Sequence, residues 1–188
     1  MRDGNPALLG TTGGRVEVDE TYIGQKDGVV KPKGKSGSAH KMRVVSLIDR
    51  DTGAARSMPA NSLVRDEVAQ IVRANVAKEA KLTTDESRLY SAVGKEYTSH
   101  DLTTHGRGEY VRGDVTTNTV EGFFSIFKRG MKGVYQHAAK RHLHRYLAEF
   151  DFRYSERVAN GVNDTQRADK LLSGVVGKRL TYQTVGAA

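Results

Sequence analysis

The segment Asn118–Lys128, Asn-Thr-Val-Glu-Gly-Phe-Phe-Ser-Ile-Phe-Lys, constrains the chain more than any other. Wound as a helix of about 3.6 residues per turn, it sets Asn118, Glu121, Ser125 and Lys128 in one line. Phe123, Ile126 and Phe127 fall off that line, with Phe124 at its edge. One side of the helix therefore needs a core to press into, while the other is free for chemistry. Asn118 followed three places on by Glu121 also fits a helix-start capping box, with Asn for the usual Ser or Thr.

A core of that kind is within reach of 188 residues that are 37% hydrophobic, enough for one domain. The chain has no cysteine, which rules out a disulfide framework and every thiolate zinc site. Its apolar runs are far shorter than the roughly 18 residues that cross a bilayer, and no signal-peptide core follows Met1. The expectation is a soluble intracellular protein without a membrane partner. Thirty Lys and Arg against 22 Asp and Glu leave a formal charge of +8, which favours a polyanion, nucleic acid first. Lys26, Lys31, Lys33, Lys35, Lys41 and Arg43 crowd one segment with only Asp27 against them. Lys128, Arg129, Lys132, Arg141 and Arg145 mark a second basic region. Either run taken alone reads equally well as solvated surface.

Along the chain, residues 1–14 are Gly-rich and without period, which predicts a frayed lead-in. Arg15–Ile23 alternates as a strand does, and carries Asp19 inside it. Residues 26–40 hold Gly, Lys and Ser with almost no large apolar residue and should be a mobile basic loop. Strands follow at Lys41–Ile48 and Ala54–Met58, then a helix from Ser62 with Val64, Val68, Ile71, Val72 and Val76 as its buried stripe. A short strand ends at Asp85, a brief helix covers Ser87–Val93, and another strand lies near Tyr97–Leu102. The Asn118 helix comes next, then a break near Gly130–Gly133 and a long helix from about Ala138 to Arg157. Residues 158–188 read as a C-terminal tail. Three antiparallel strands followed by alternating units predict an α/β domain over 15–157.

Asp19, Asp85 and Glu121 are far apart in sequence, but strand ends and the helix covering them can meet at one edge of such a sheet. Convergent carboxylates repel one another, and a divalent cation with all-oxygen ligands, Mg²⁺ or Mn²⁺, removes that cost. Two such ions about 4 Å apart can hold the attacking and leaving oxygens of an in-line phosphoryl transfer. The other candidates have plainer readings. His100, His105, His137, His142 and His144 form no ligand spacing; Glu20, Asp49, Asp51 and Asp101 read as surface or turn acids; Tyr146 and Tyr154 read as core. Glu17 shares the parity of Asp19 and is available as a supporting group behind it.

Val-Glu-Val-Asp-Glu-Thr-Tyr-Ile-Gly around Asp19, Thr-Thr-Asp-Glu around Asp85 and the Asn118 helix running on to Arg129-Gly130 resemble the catalytic core of bacterial insertion-sequence transposases of the DDE class. Within that class the chain is most similar to the ISXO-like group. Thirty-five residues lie between Asp85 and Glu121 and six between Glu121 and Lys128, the spacings typical of the class. The run Gln136–Tyr154 resembles the same group, so the likeness spans about Arg15 to Arg157.

The resemblance implies an RNase H-like fold, with a mixed five-stranded sheet, three antiparallel strands first and helices on both faces. It implies Asp19, Asp85 and Glu121 as ligands of Mg²⁺ or Mn²⁺, two ions together. It further implies cut-and-join chemistry on transposon ends, Lys128 on the DNA backbone near the cut, and a homodimer in the DNA complex, in a bacterial cytoplasm beside the nucleoid. The third ligand of this group is Glu or Asn, and here Asn118 and Glu121 stand one turn apart. Glu121 is the expected one, because a carboxylate holds Mg²⁺ better than an amide and gives the class spacing. Thr116 stands where the group often has His. Only about 14 residues precede the first strand, so the expectation is a fragment or a core without its own end-recognition part. An RNase H-fold nuclease that cuts without joining, and a non-catalytic DNA-binding remnant, remain the alternatives.

Overall fold

The computed structural model describes residues 7–31, 33–34, 37–103, 116–136 and 138–177. Five strands, β1 (Arg15–Ile23), β2 (Met42–Asp49), β3 (Ala55–Ala60), β4 (Lys81–Asp85) and β5 (Ser99–Thr103), form one mixed sheet in the order β3-β2-β1-β4-β5. The pairs β1–β2 and β2–β3 are antiparallel, and β1–β4 and β4–β5 are parallel. This is the RNase H-like arrangement, and it sets β1 at the centre with β4 beside it. The parallel register pairs Arg15 with Lys81 and Glu17 with Thr83, so two residues further on Asp19 lies level with Asp85.

The pleat sends alternate side chains to opposite faces. Val16, Val18, Val45, Leu47 and Leu82 point to one face, where α1 (Arg65–Asn75) closes the core with Val68 and Val72. Ile23, Met42, Val44 and Ile48 point to the other, beneath α2 (Asn118–Gly130) and α3 (Leu143–Ser155). There Val120, Phe123, Phe124 and Phe127 of α2 are buried, with the Phe123 ring edge-on to Tyr154 and Phe127 edge-on to Phe150, each at 5.2 Å. Ile126 does not join them and is 48% exposed, because the stripe at 120, 123, 124 and 127 already fills the arc that faces the sheet.

Several predicted boundaries move for identifiable reasons. The lead-in packs from Leu9 onward: Leu9 is buried, bridges Val76, and exchanges backbone hydrogen bonds with Asn75 and Ala77. α1 starts at Arg65 rather than Ser62, since Glu67 turns back to accept the Asn61 and Ser62 N–H groups at 2.7 Å and holds those residues as a turn, leaving Val64 exposed. In place of a helix at 87–93 there are turns and a 3₁₀ helix, Val93–Glu96, which enclose the fully buried Tyr90. The expected break near Gly130 is instead a π-helical turn, Met131–Tyr135, that prolongs α2. Gly130 itself is needed for contact, since a Cβ there would come within 2.4 Å of the Phe150 ring. The following helix begins with a 3₁₀ turn at Lys140–His142, and a further helix α4 (Asp164–Ser173) occupies the expected tail, started by an Asn163/Gln166 capping box.

Candidate active site

Asp19 and Asp85 are carried by the face of the sheet that α2 covers, and Glu121 by α2 itself. Asp19 is half-buried in mid-strand β1, with Oδ1 accepting the Glu20 N–H at 2.7 Å. Asp85 is the last residue of β4, and its Oδ1 accepts the Ser87 N–H at 2.9 Å, a side-chain turn that ends the strand. Glu121 is exposed in the first turn of α2, its Oε1 accepting the Thr117 hydroxyl at 2.9 Å. Thr117 is in turn reached by the Thr103 hydroxyl at 3.4 Å, and Thr103 pairs with Asp85 across β4–β5. One chain of contacts thus ties the end of β5 to the helix acid.

Electrostatics couples these groups. Burial, and then the negative charges of Glu20, Asp85 and Glu121, push the Asp19 carboxyl up to about 7 from its ordinary 3.8, against the Glu20 N–H that lowers it. Glu20 is also raised, by burial and by Asp85, and its Oε2 accepts the Tyr90 hydroxyl at 2.6 Å. Among the described residues no three His, Asp or Glu side chains already stand close enough to share one ion. The charges of Asp85 and Glu121 nevertheless reach Asp19, and an all-carboxylate donor set suits a hard divalent cation.

The alternatives for α2 resolve locally. Thr117, not Asn118, is the N-cap and makes no side-chain cap bond; Asn118 is exposed as the first helical residue, its N–H on the Thr116 hydroxyl at 2.9 Å. The capping-box reading of Asn118 and Glu121 is thereby replaced. Exposed Ser125 and half-buried Lys128 continue the line, with the Lys128 ammonium 5.8 Å from the Phe124 ring centre. Glu20 is not the surface acid expected but sits beside the site, whereas Asp49 is the turn acid expected, buried and accepting the Gly10, Asp51 and Thr52 N–H groups. Asp101 pairs with Arg15 at 2.6 Å.

Glu17, which the sequence offered only as a supporting group behind Asp19, reaches across to α2. It is completely buried, with Oε2 accepting the Val120 N–H at 3.0 Å and Oε1 facing the Arg50 Nε at 3.4 Å. Burial raises it while the donors of Val120 and Thr119 and the charge of Arg50 hold it down. An acid alternating with valines two places before Asp19 was the available signal. Thr117 and Tyr90 gave none, since nothing local ties either to an acid.

The two basic segments meet. The Arg43 guanidinium donates to the Asn61 carbonyl at 2.7 Å and Lys140 Nζ to its side-chain oxygen at 2.9 Å, while burial and the charges of Arg43 and Lys140 lower Lys26. Arg43 pairs with Tyr22 near the end of β1, so this cluster flanks the end of the sheet at which Asp85 terminates β4. Lys31, Lys33, Arg129, Lys132, Arg141 and Arg145 are exposed and Lys41 is half-buried. Lys35, His105 and His137 lie outside the described residues. His142 and His144 share no metal arrangement, and the His142 ring accepts from Arg141.

Fold and site together define an RNase H-like α/β domain in which Asp19 and Asp85 lie level on the neighbouring strands β1 and β4. The chain belongs to the family of the ISXO2-like transposase domain, whose model matches residues 11–155. It is 28% identical over 153 residues to an uncharacterized protein in transposable element ISH50 of Halobacterium salinarum, covering 74% of this chain and 52% of that one. The chain thus spans about half the length of that relative. Among solved structures it is similar to the simian T-cell lymphotropic virus intasome with the PP2A regulatory subunit B56 gamma. That match has a TM-score of 0.46 at 11% identity, over 81% of this chain and 50% of the other. A second is the catalytic core domain of BIV integrase, with a TM-score of 0.45 at 12% identity over 75% and 82%. Among the described residues no helix is long and apolar enough to cross a membrane.

Proposed function

We propose that this domain catalyses divalent-metal-dependent nicking and strand transfer of DNA at insertion-sequence ends. The observation that supports the reading is the parallel register that sets Asp19 level with Asp85 on neighbouring strands, with the charges of Asp85 and Glu121 both acting on Asp19. Asp19, Asp85 and Glu121 hold the metal, with Glu121 rather than Asn118 as third ligand. When bound, a pair of Mg²⁺ or Mn²⁺ ions supplies activation of the attacking oxygen and stabilisation of the departing 3′-oxygen. The Thr117 hydroxyl and the Ser87 N–H orient the Glu121 and Asp85 carboxylates. Lys128, two turns beyond Glu121 on the same line, contacts the DNA backbone beside the cut. Lys26, Arg43 and Lys140, with Lys31, Lys33, Lys35, Lys41, Arg129, Lys132, Arg141 and Arg145, neutralise phosphates of the end and target duplexes without reading bases. The active unit is a homodimer on DNA, as two ends must be joined.

Labelled insertion-sequence end DNA incubated with Mg²⁺ or Mn²⁺ tests this, with Asp85→Asn as the paired control. Joined products that disappear in the variant by about 10³-fold or more are the expected result. Nicks without joining would reassign the domain as a nuclease, and binding without cleavage as a remnant.

A further inference from the structure

Glu17 carries a cost that nothing in its own strand requires. A carboxylate with no exposed surface is expensive to keep in a protein interior unless donors surround it. Here the donors come from another element, the start of α2, 103 residues away. That helix lacks the usual local remedy: its N-cap, Thr117, makes no side-chain cap bond and instead gives its hydroxyl to Glu121. The first N–H groups of a helix have no partner within it. In α2 the Asn118 N–H goes to Thr116, and the Val120 N–H goes to Glu17. The carboxylate also lies at the positive end of the helix dipole. Arg50, at the end of β2, braces its other oxygen at 3.4 Å.

Resting on the metal-site reading above, we infer that Glu17 is a positioning residue: a strand carboxylate serving as the cap of α2, which registers Glu121 against Asp19. The geometry is short and stiff at every step. Glu17 and Asp19 lie on one face of β1, two residues apart, so the pleat fixes their spacing. Val120, whose N–H Glu17 holds, directly precedes Glu121. A local Asn or Ser cap would satisfy the same amides but would leave the helix start unregistered to the strand that bears the first acid. Glu17 does not touch DNA or the reacting atoms; it acts through Glu121.

Two variants separate this role from its rivals. Glu17→Gln keeps the shape and one acceptor oxygen, whereas Glu17→Ala removes the cap. Hydrogen exchange of the Val120 and Glu121 amides, read in metal-free protein below the melting transition, should speed by at least about tenfold in Glu17→Ala and by much less in Glu17→Gln. Mn²⁺ affinity should fall about tenfold or more in Glu17→Ala, stay within about threefold of wild type in Glu17→Gln, and leave the dissociation constant for end DNA in EDTA unchanged in both. A purely structural residue would lower the melting temperature with Mn²⁺ affinity of the folded protein unaltered, and that result overturns the inference. Loss of Mn²⁺ in Glu17→Gln as severe as in Asp19→Asn would make Glu17 a ligand and overturn it too. Wild-type protein that binds no Mn²⁺ would sink the metal-site reading instead, and the amide exchange would still decide whether Glu17 is the cap.

Discussion

The two faces of the sheet are built from different materials. On the α1 side Val16, Val18, Val45, Leu47, Leu82, Val68 and Val72 form an aliphatic layer. On the α2–α3 side the aromatic layer of Phe123, Phe127 and Phe150 is interrupted by buried polar groups: Glu17 beneath α2, Ser46 and Ser57 beneath α3, and Asp151 on α3 itself. Ser46 donates to Ser57 at 2.8 Å, and Asp151 accepts both the Ser57 hydroxyl at 2.6 Å and its N–H at 2.8 Å. The difference teaches that the α1 face is spent on cohesion, whereas the other face gives up dryness in order to hold helices at set positions over the acids. Burying paired charge and hydroxyl is weak stabilisation but strong placement.

Four substitutions press on that contrast. Phe127→Ala should cost about 3–5 kcal/mol in chemical denaturation and Leu82→Ala about 2–5, because both are wholly buried and leave cavities. A small loss at Phe127 alone would mean that the aromatic face is loosely packed and the comparison misdrawn. Asp19 tests the acid edge. Its folded carboxyl, raised to about 7 from 3.8, favours the protonated form, so its contribution is fully present below about pH 4 and is lost as pH rises through 7. In EDTA, Asp19→Asn should therefore match wild type near pH 4 and exceed it at pH 8 by about 2 kcal/mol. That figure is cut from the roughly 4 that three units would give, because the group is half-exposed. Thermal melts across that range read it, and a gap that does not change with pH would remove the strain from the site. The smallest effect is Ser57→Ala, about 1–2 kcal/mol, from an Asp151 left short of one donor. A loss no larger than that of an exposed residue such as Ile126 would show the polar contact to be idle.

Much of this was legible beforehand. The alternation of Arg15–Ile23, the apolar run of β2 and the stripe of α2 write their periods into the chain, and the family resemblance, with its spacing from Asp85 to Glu121 and on to Lys128, marked Asp19, Asp85 and Glu121 as the candidate acids. Misjudged positions share a cause. Ser62 and Ile126 obeyed local pattern but lost to tertiary geometry, Glu67 reaching back in one case and a completed arc in the other. Leu9 sat in a Gly-rich stretch with no period to betray that Val76 pairs with it.

Local propensity and periodicity, being properties of neighbours, were enough to place the five strands and the helices α1 to α3. Tertiary structure alone decided that Asp19 feels Asp85 and Glu121, that Lys26 meets Lys140, and that Glu17 holds the start of α2. Those are through-space relations between residues tens of positions apart, set by strand register and helix docking, and charge acts across distance in space rather than along the chain.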